Sequence, residues 1–162
     1  MSVNALANKR VVIDASLIID LYAAPNDMRA SIAEEVSSWI ATRLVEAYAP
    51  KLLMVEVLGV LARYLSEEDL DLVMTSFPPI KLMPEDVFYD EAIKIARSTG
   101  SRAADAYYIA VALIVNGVLL TNDKRQSRDA KKVGVKAYYL IEEKEKAKQS
   151  VLSSRNQRRK HR

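Results

Sequence analysis

The 162-residue sequence contains no cysteine. That excludes a disulfide framework, a thiolate nucleophile and cysteine-ligated zinc. Its single histidine, His161, stands next to last in a charged end. A Ser-His-Asp triad, a histidine acid–base pair and an HExxH zinc helix are excluded with it. The four glycines, Gly59, Gly100, Gly117 and Gly134, lie too far apart to form a GxGxxG turn or a P-loop. The longest apolar run, Ile109 to Val115, is much too short to span a bilayer. The start, MSVNALANKR, lacks the apolar segment and cleavage site of a secretory signal. The expectation is therefore a cytoplasmic protein without membrane association. Any enzyme chemistry must rest on carboxylates, hydroxyls, Lys/Arg or a bound metal.

What is present suits one globular α/β domain, since half the residues are apolar and 28% are charged. The formal net charge of +3 is unevenly placed. Residues 150–162 hold Arg155, Arg158, Arg159, Lys160 and Arg162 with no acid, which leaves −2 on residues 1–149. Such tails favour polyanions. The chain divides into an N-terminal extension (1–9), a folded domain (10–141) and a charged, basic C-terminal tail (142–162).

Short β-rich runs alternate with helical ones. RVVID (10–14) reads as a buried strand. Residues 16–22 read as a short helix, and Asn26-Asp27 caps a long one whose apolar stripe runs Met28, Ile32, Val36, Trp39, Ile40, Leu44 until Ala49-Pro50 breaks it. A brief strand at 52–54 leads into a helix over 55–65. Ser66 caps the next helix, with Glu67, Glu68 and Asp69 in its first turn. A strand at 80–83 precedes a helix opened by Pro84 and closed by Gly100. Residues 103–116 form a helix apolar nearly all round, closed by Gly117. A strand at 118–121, a basic helix at 124–132 and a last strand at 135–140 complete the domain. After Glu142 the chain continues as helix for a turn or two and then frays. This alternation predicts a three-layer α/β/α sandwich with a mainly parallel central sheet, whose ligands bind at the carboxyl ends of the strands.

Four carboxylates occupy such positions. Asp14 ends the first strand, Glu56 follows the predicted strand at 52–54, Asp105 lies in the first turn of the apolar helix, and Asp123 follows the strand at 118–121. Each has an ordinary alternative: Asp14 and Asp123 as caps, Asp105 as a partner of the helix dipole, Glu56 as a bland surface acid. Glu56 fits its alternative least, because its neighbours are Leu52, Leu53, Met54, Val55, Val57 and Leu58. Four facing carboxylates repel, and a divalent cation removes the conflict. All-oxygen ligation points to a hard ion, Mg²⁺ or alternatively Mn²⁺, and to phosphodiester hydrolysis.

Four stretches, VVIDASLIIDLY (11–22), PKLLMVEVLGVLARYL (50–65), AADAYYIAVALIVNGVLLTND (103–123) and GVKAYYL (134–140), resemble in order the PIN-domain family, most closely its VapC-type ribonuclease toxins. The resemblance implies a PIN-like α/β/α nuclease domain and a metal-dependent endoribonuclease. Its acidic quartet matches Asp14, Glu56, Asp105 and Asp123, with Ser16 and Thr121 as supporting hydroxyls. The further acid often found after the last one is not matched by Lys124-Arg125-Gln126. In the expected division of labour, Asp14 and Asp105 are the main Mg²⁺ ligands. Glu56 and Asp123 close the site, and Glu56 takes the proton of the attacking water.

KRQSRDAKK (124–132) carries a net +4 directly after Asp123, so Lys124, Arg125 and Arg128 are candidate RNA contacts. A solvated helix face is the alternative for them. The Tyr107-Tyr108 and Tyr138-Tyr139 pairs read as core packing rather than base stacking, and Trp39 as core or interface. Residues 28–70 present a candidate surface for a homodimer or for an antitoxin helix. The leading function is the toxin of a toxin–antitoxin pair. The alternatives are a PIN-type nuclease of RNA processing or ribosome maturation, which the basic tail suits, and a catalytically inactive RNA-binding or assembly module.

Overall fold

The computed structural model describes residues 9–152. The basic cluster Arg155–Arg162 and most of the N-terminal extension lie outside the described residues. The expected sandwich is present. Five strands, β1 (Lys9–Ile13), β2 (Val45–Pro50), β3 (Ile80–Met83), β4 (Val118–Thr121) and β5 (Ala137–Tyr139), form one sheet in the order β3-β2-β1-β4-β5. Every pairing in it is parallel.

Strand order and handedness place the helices. The links from β1 to β2 and from β2 to β3 step one way along the sheet, and those from β3 to β4 and from β4 to β5 step the other. Right-handed crossovers therefore put α1 (Ala15–Ala23), α2 (Asp27–Ala41), α3 (Leu52–Leu61) and α4 (Glu67–Thr75) on one face. They put α5 (Glu85–Thr99), α6 (Ala103–Val115) and α7 (Lys124–Lys132) on the other. The last helix, α8 (Leu140–Leu152), returns to the first face and packs against α2. The direction of travel reverses between β1 and β4, so a crevice opens at their carboxyl ends. The interior beneath it is apolar: Val11, Val12, Ile13, Leu119 and Leu120 are fully buried.

Three elements differ from the sequence reading. The stripe of α2 does not run through to Pro50. Arg43 adopts a left-handed conformation (φ 56°) that ends the helix, and residues 45–50 become the second strand of the sheet. The apolar run 52–54 is the first turn of α3 rather than a strand. Glu56 consequently sits in the second turn of a helix rather than just past a strand end. Finally, α8 extends to Leu152 because Ala147 and Val151 are buried and Lys144 and Lys148 both pair with Glu35 of α2.

The end of α6 is tight. Asn116 takes the left-handed C-cap (φ 50°), and Gly117 turns the chain into β4. A Cβ on Gly117 would lie 3.2 Å from the Arg10 carbonyl oxygen and 3.1 Å from Val115 Cγ2. Gly117→Ala is expected to destabilise the fold by about 1–3 kcal/mol through this overpacking. A lowered midpoint in urea denaturation checks it, and an unchanged midpoint contradicts it.

Candidate active site

Asp14 leaves β1 at the crevice and serves as the N-cap of α1, its Oδ2 accepting from the Ser16 amide at 3.1 Å. The Thr121 hydroxyl at the end of β4 donates to the same oxygen at 3.3 Å. Thr121 also accepts from the Asp123 amide at 2.9 Å, and Ser16 Oγ accepts from the Asn122 amide at 3.1 Å. Both predicted supporting hydroxyls thus stitch the ends of β1 and β4 together. Asp123 caps α7, its Oδ1 accepting from the amides of Arg125 and Gln126 at 2.9 and 3.1 Å. For Asp14 and Asp123, the capping role and the position at the crevice coexist.

Asp105, in the first turn of α6, reaches the same edge from the opposite layer. The guanidinium of Arg102 spans two acids, with Nε 3.0 Å from Asp105 Oδ2 and Nη2 3.2 Å from Asp123 Oδ2. The fully buried amide of Gln126 spans two more, Nε2 lying 3.0 Å from Asp14 Oδ1 and 3.5 Å from Asp105 Oδ1. Glu56 enters from α3, where Oε1 accepts from the buried Tyr108 hydroxyl at 2.8 Å. The structure therefore brings all four acids to one crevice.

Their charges act on one another. Burial raises the Asp105 carboxyl above its ordinary value, and Asp123 and Asp14 add to the rise while Arg102 opposes it. Burial likewise raises Glu56; the Tyr108 hydroxyl opposes the shift, and Asp14 and Asp105 reinforce it. Burial, with Asp14 and Glu56 nearby, raises the Tyr108 phenol, which stays protonated as a donor.

The donor chemistry fits a hard divalent cation: carboxylate oxygens without a sulfur or imidazole, in a pocket short of positive charge. Gln126 Oε1 is also buried without a partner. As the side chains stand, Arg102 and Gln126 supply the compensating donors. Among the described residues no three carboxylates are close enough to grasp one ion together. Arg102, two-thirds exposed, is free to turn outward, which would open Asp105 and Asp123.

The sequence reading did not single out Arg102 or Gln126, and it took Tyr108 as packing alone. Tyr108 is packed in the core and also holds Glu56. Arg102 stands three residues before Asp105, and Gln126 three after Asp123, so helical spacing was the available signal. A neighbouring network was also missed: buried Asp20 accepts from Arg29 Nε at 2.7 Å and from Asn122 Nδ2 at 2.8 Å, which anchors the turn before Asp123. Lys124 and Arg125 stand exposed in the first turn of α7, with Arg128 one turn on. Trp39 is core.

The sequence matches the PIN domain family model over residues 11–132, a span that includes all four acids. The chain belongs to the PIN-domain family. Solved structures share its fold. PAE2754 from Pyrobaculum aerophilum is 26% identical, with a TM-score of 0.53 over 82% of this chain and 91% of that one. FitAcB from Neisseria gonorrhoeae is 19% identical, with a TM-score of 0.56 over 79% and 96%. A toxin–antitoxin complex from Klebsiella pneumoniae is 14% identical, with a TM-score of 0.55 over 72% and 88%. No curated protein matches the sequence. Among the described residues, no helix is long and apolar enough to cross a membrane.

Proposed function

We propose that this chain is a divalent-metal-dependent endoribonuclease, the toxin of a toxin–antitoxin pair acting on RNA in the cytoplasm. The observation that carries the reading is the meeting of Asp14, Glu56, Asp105 and Asp123 at the crevice between β1 and β4, with Glu56 and Asp105 both raised by burial and by neighbouring negative charge. In this reading Asp14 and Asp105 would hold Mg²⁺, or Mn²⁺ in its place, and Glu56 and Asp123 would close the site. The ion would supply Lewis acidity toward the phosphate and toward water.

The chain's own residues do the rest. Tyr108 fixes Glu56 through Oε1, which leaves Oε2 to accept a proton from the attacking water, and a raised carboxyl is the better base near neutral pH. Arg102 leaves Asp105 and Asp123 and turns to the phosphate oxygens of the RNA. Thr121 and Gln126 hold Asp14 in place. Lys124, Arg125 and Arg128 line the path beyond Asp123.

Partner binding is supported by the exposed apolar side chains Met28 on α2, Val55 on α3, Tyr64 in the turn after α3 and Leu72 in the middle of α4. An antitoxin or the second subunit of a homodimer would cover them. The fold shared with a toxin–antitoxin complex from Klebsiella pneumoniae agrees with the first.

The test incubates purified protein with unstructured RNA in Mg²⁺ or in EDTA. Internal cleavage in Mg²⁺, lost in EDTA and restored by Mg²⁺ or Mn²⁺, is the expected result. Equal cutting in EDTA overturns the reading.

A further inference from the structure

Beyond Asp123, the exposed side of α7 meets β5 and the start of α8 around a cavity of about 320 Å³, large enough for one nucleotide. We infer that this cavity is a nucleotide subsite that holds one residue of the substrate strand next to the cleavage point. The inference rests on the endoribonuclease reading and adds to it the place where the flanking RNA is gripped.

Four features of the cavity point to a nucleotide. Tyr139 supplies an aromatic wall, half-buried and fixed by its position in β5, against which a base can stack. Ser127 lines the cavity with its hydroxyl buried and without a partner, so the cavity wall carries an unsatisfied donor and acceptor. Lys124 and Lys131 are held at the rim by Glu142 and Glu143, at 2.9 and 3.0 Å. Arg128, also lining the cavity, has no such acid: no ion pair among the described residues engages it. Its guanidinium is the free phosphate ligand.

Placement adds to this. Lys124 directly follows Asp123, and Arg128 lies five residues along the same helix, about 7.5 Å further on. A strand whose scissile phosphate lies between the four acids would pass along this face. Lys124 Nζ now sits 5.9 Å from the centre of the Tyr139 ring. An incoming base would take that place and send the ammonium to its phosphate. A protein ligand is less suited, because the cavity is small, carries Lys124, Arg128 and Lys131 on its α7 side and is lined by a single ring.

The experiment measures fluorescence anisotropy of labelled single-stranded RNAs, lengthened one nucleotide at a time, with Asp14→Asn protein so that the strand stays intact. Arg128→Gln and Tyr139→Leu, each added to that background, are expected to weaken binding about tenfold for the longer RNAs. Neither should affect RNAs too short to reach the cavity. Arg128 is exposed, so its variant remains informative even if Tyr139→Leu fails to fold. If the parent binds RNA and both variants match it at every length, the subsite is overturned. A weakening that is uniform with length overturns it too, since that signals diffuse charge. If the parent binds no RNA and the wild type cuts none, the endoribonuclease reading falls as well.

Discussion

Asp14→Asn is expected to lower RNA cleavage by more than about 100-fold, because loss even of a group that merely supports a metal ligand costs about 10–100-fold. The fold should survive. Asn is as good an N-cap as Asp, and its carbonyl oxygen still accepts from the Ser16 amide. The substitution removes one negative charge from the place where Thr121 and Gln126 converge. Cleavage rates in Mg²⁺, paired with a melting curve, check both halves of the expectation. Cleavage within a few-fold of wild type would remove Asp14 from the mechanism. A collapsed melting curve would show that its main task is structural.

Leu120→Ala should have the largest effect on stability. Leu120 is fully buried in β4, paired in register with Ile13 on one side and Tyr138 on the other. Its carbonyl accepts from the Asp14 amide at 3.2 Å, so the strand carries the crevice as well as the core. Truncation at such a site costs about 2–5 kcal/mol, against a total stability of about 5–15 kcal/mol for a domain. Urea denaturation should show a much lower midpoint, while Leu120→Met, which nearly conserves volume, should lose less than about 1.5 kcal/mol. Equal losses in the two variants would mean that cavity formation is not the cause.

The parts of the fold that could be read from the chain are those whose signals are local. β3, β4 and α7 have the expected bounds, because prolines, glycines and a sharp change of polarity bracket them. Ser66, Pro84 and Gly100 act as the predicted punctuation. β2 was hidden because the apolar stripe of α2 continues smoothly to Leu44, and nothing in Thr42-Arg43 announces a left-handed turn at a non-glycine residue. The run 52–54 is too short for periodicity to separate strand from helix. α8 looked like a polar tail because its anchors, Ala147, Val151 and the pairing with Glu35, depend on a helix more than a hundred residues earlier.

The same division applies to the crevice. The acids could be picked out because carboxylates beside strand ends and among apolar neighbours are conspicuous. Arg102, Gln126 and Tyr108 could not, since each matters only through what it touches. Gln126 is an ordinary polar residue in a basic helix until its amide is seen between Asp14 and Asp105.

Arg102 and Gln126 have a consequence for how the molecule is made. With their help the acids are tolerated at birth, so the polypeptide need not wait for an inorganic component before it matures, unlike a zinc finger. If the chain is the metal-dependent nuclease proposed above, molecules synthesised during magnesium scarcity would accumulate whole but idle. Ion supply would then act as a throttle on an existing stock rather than as a gate on its production.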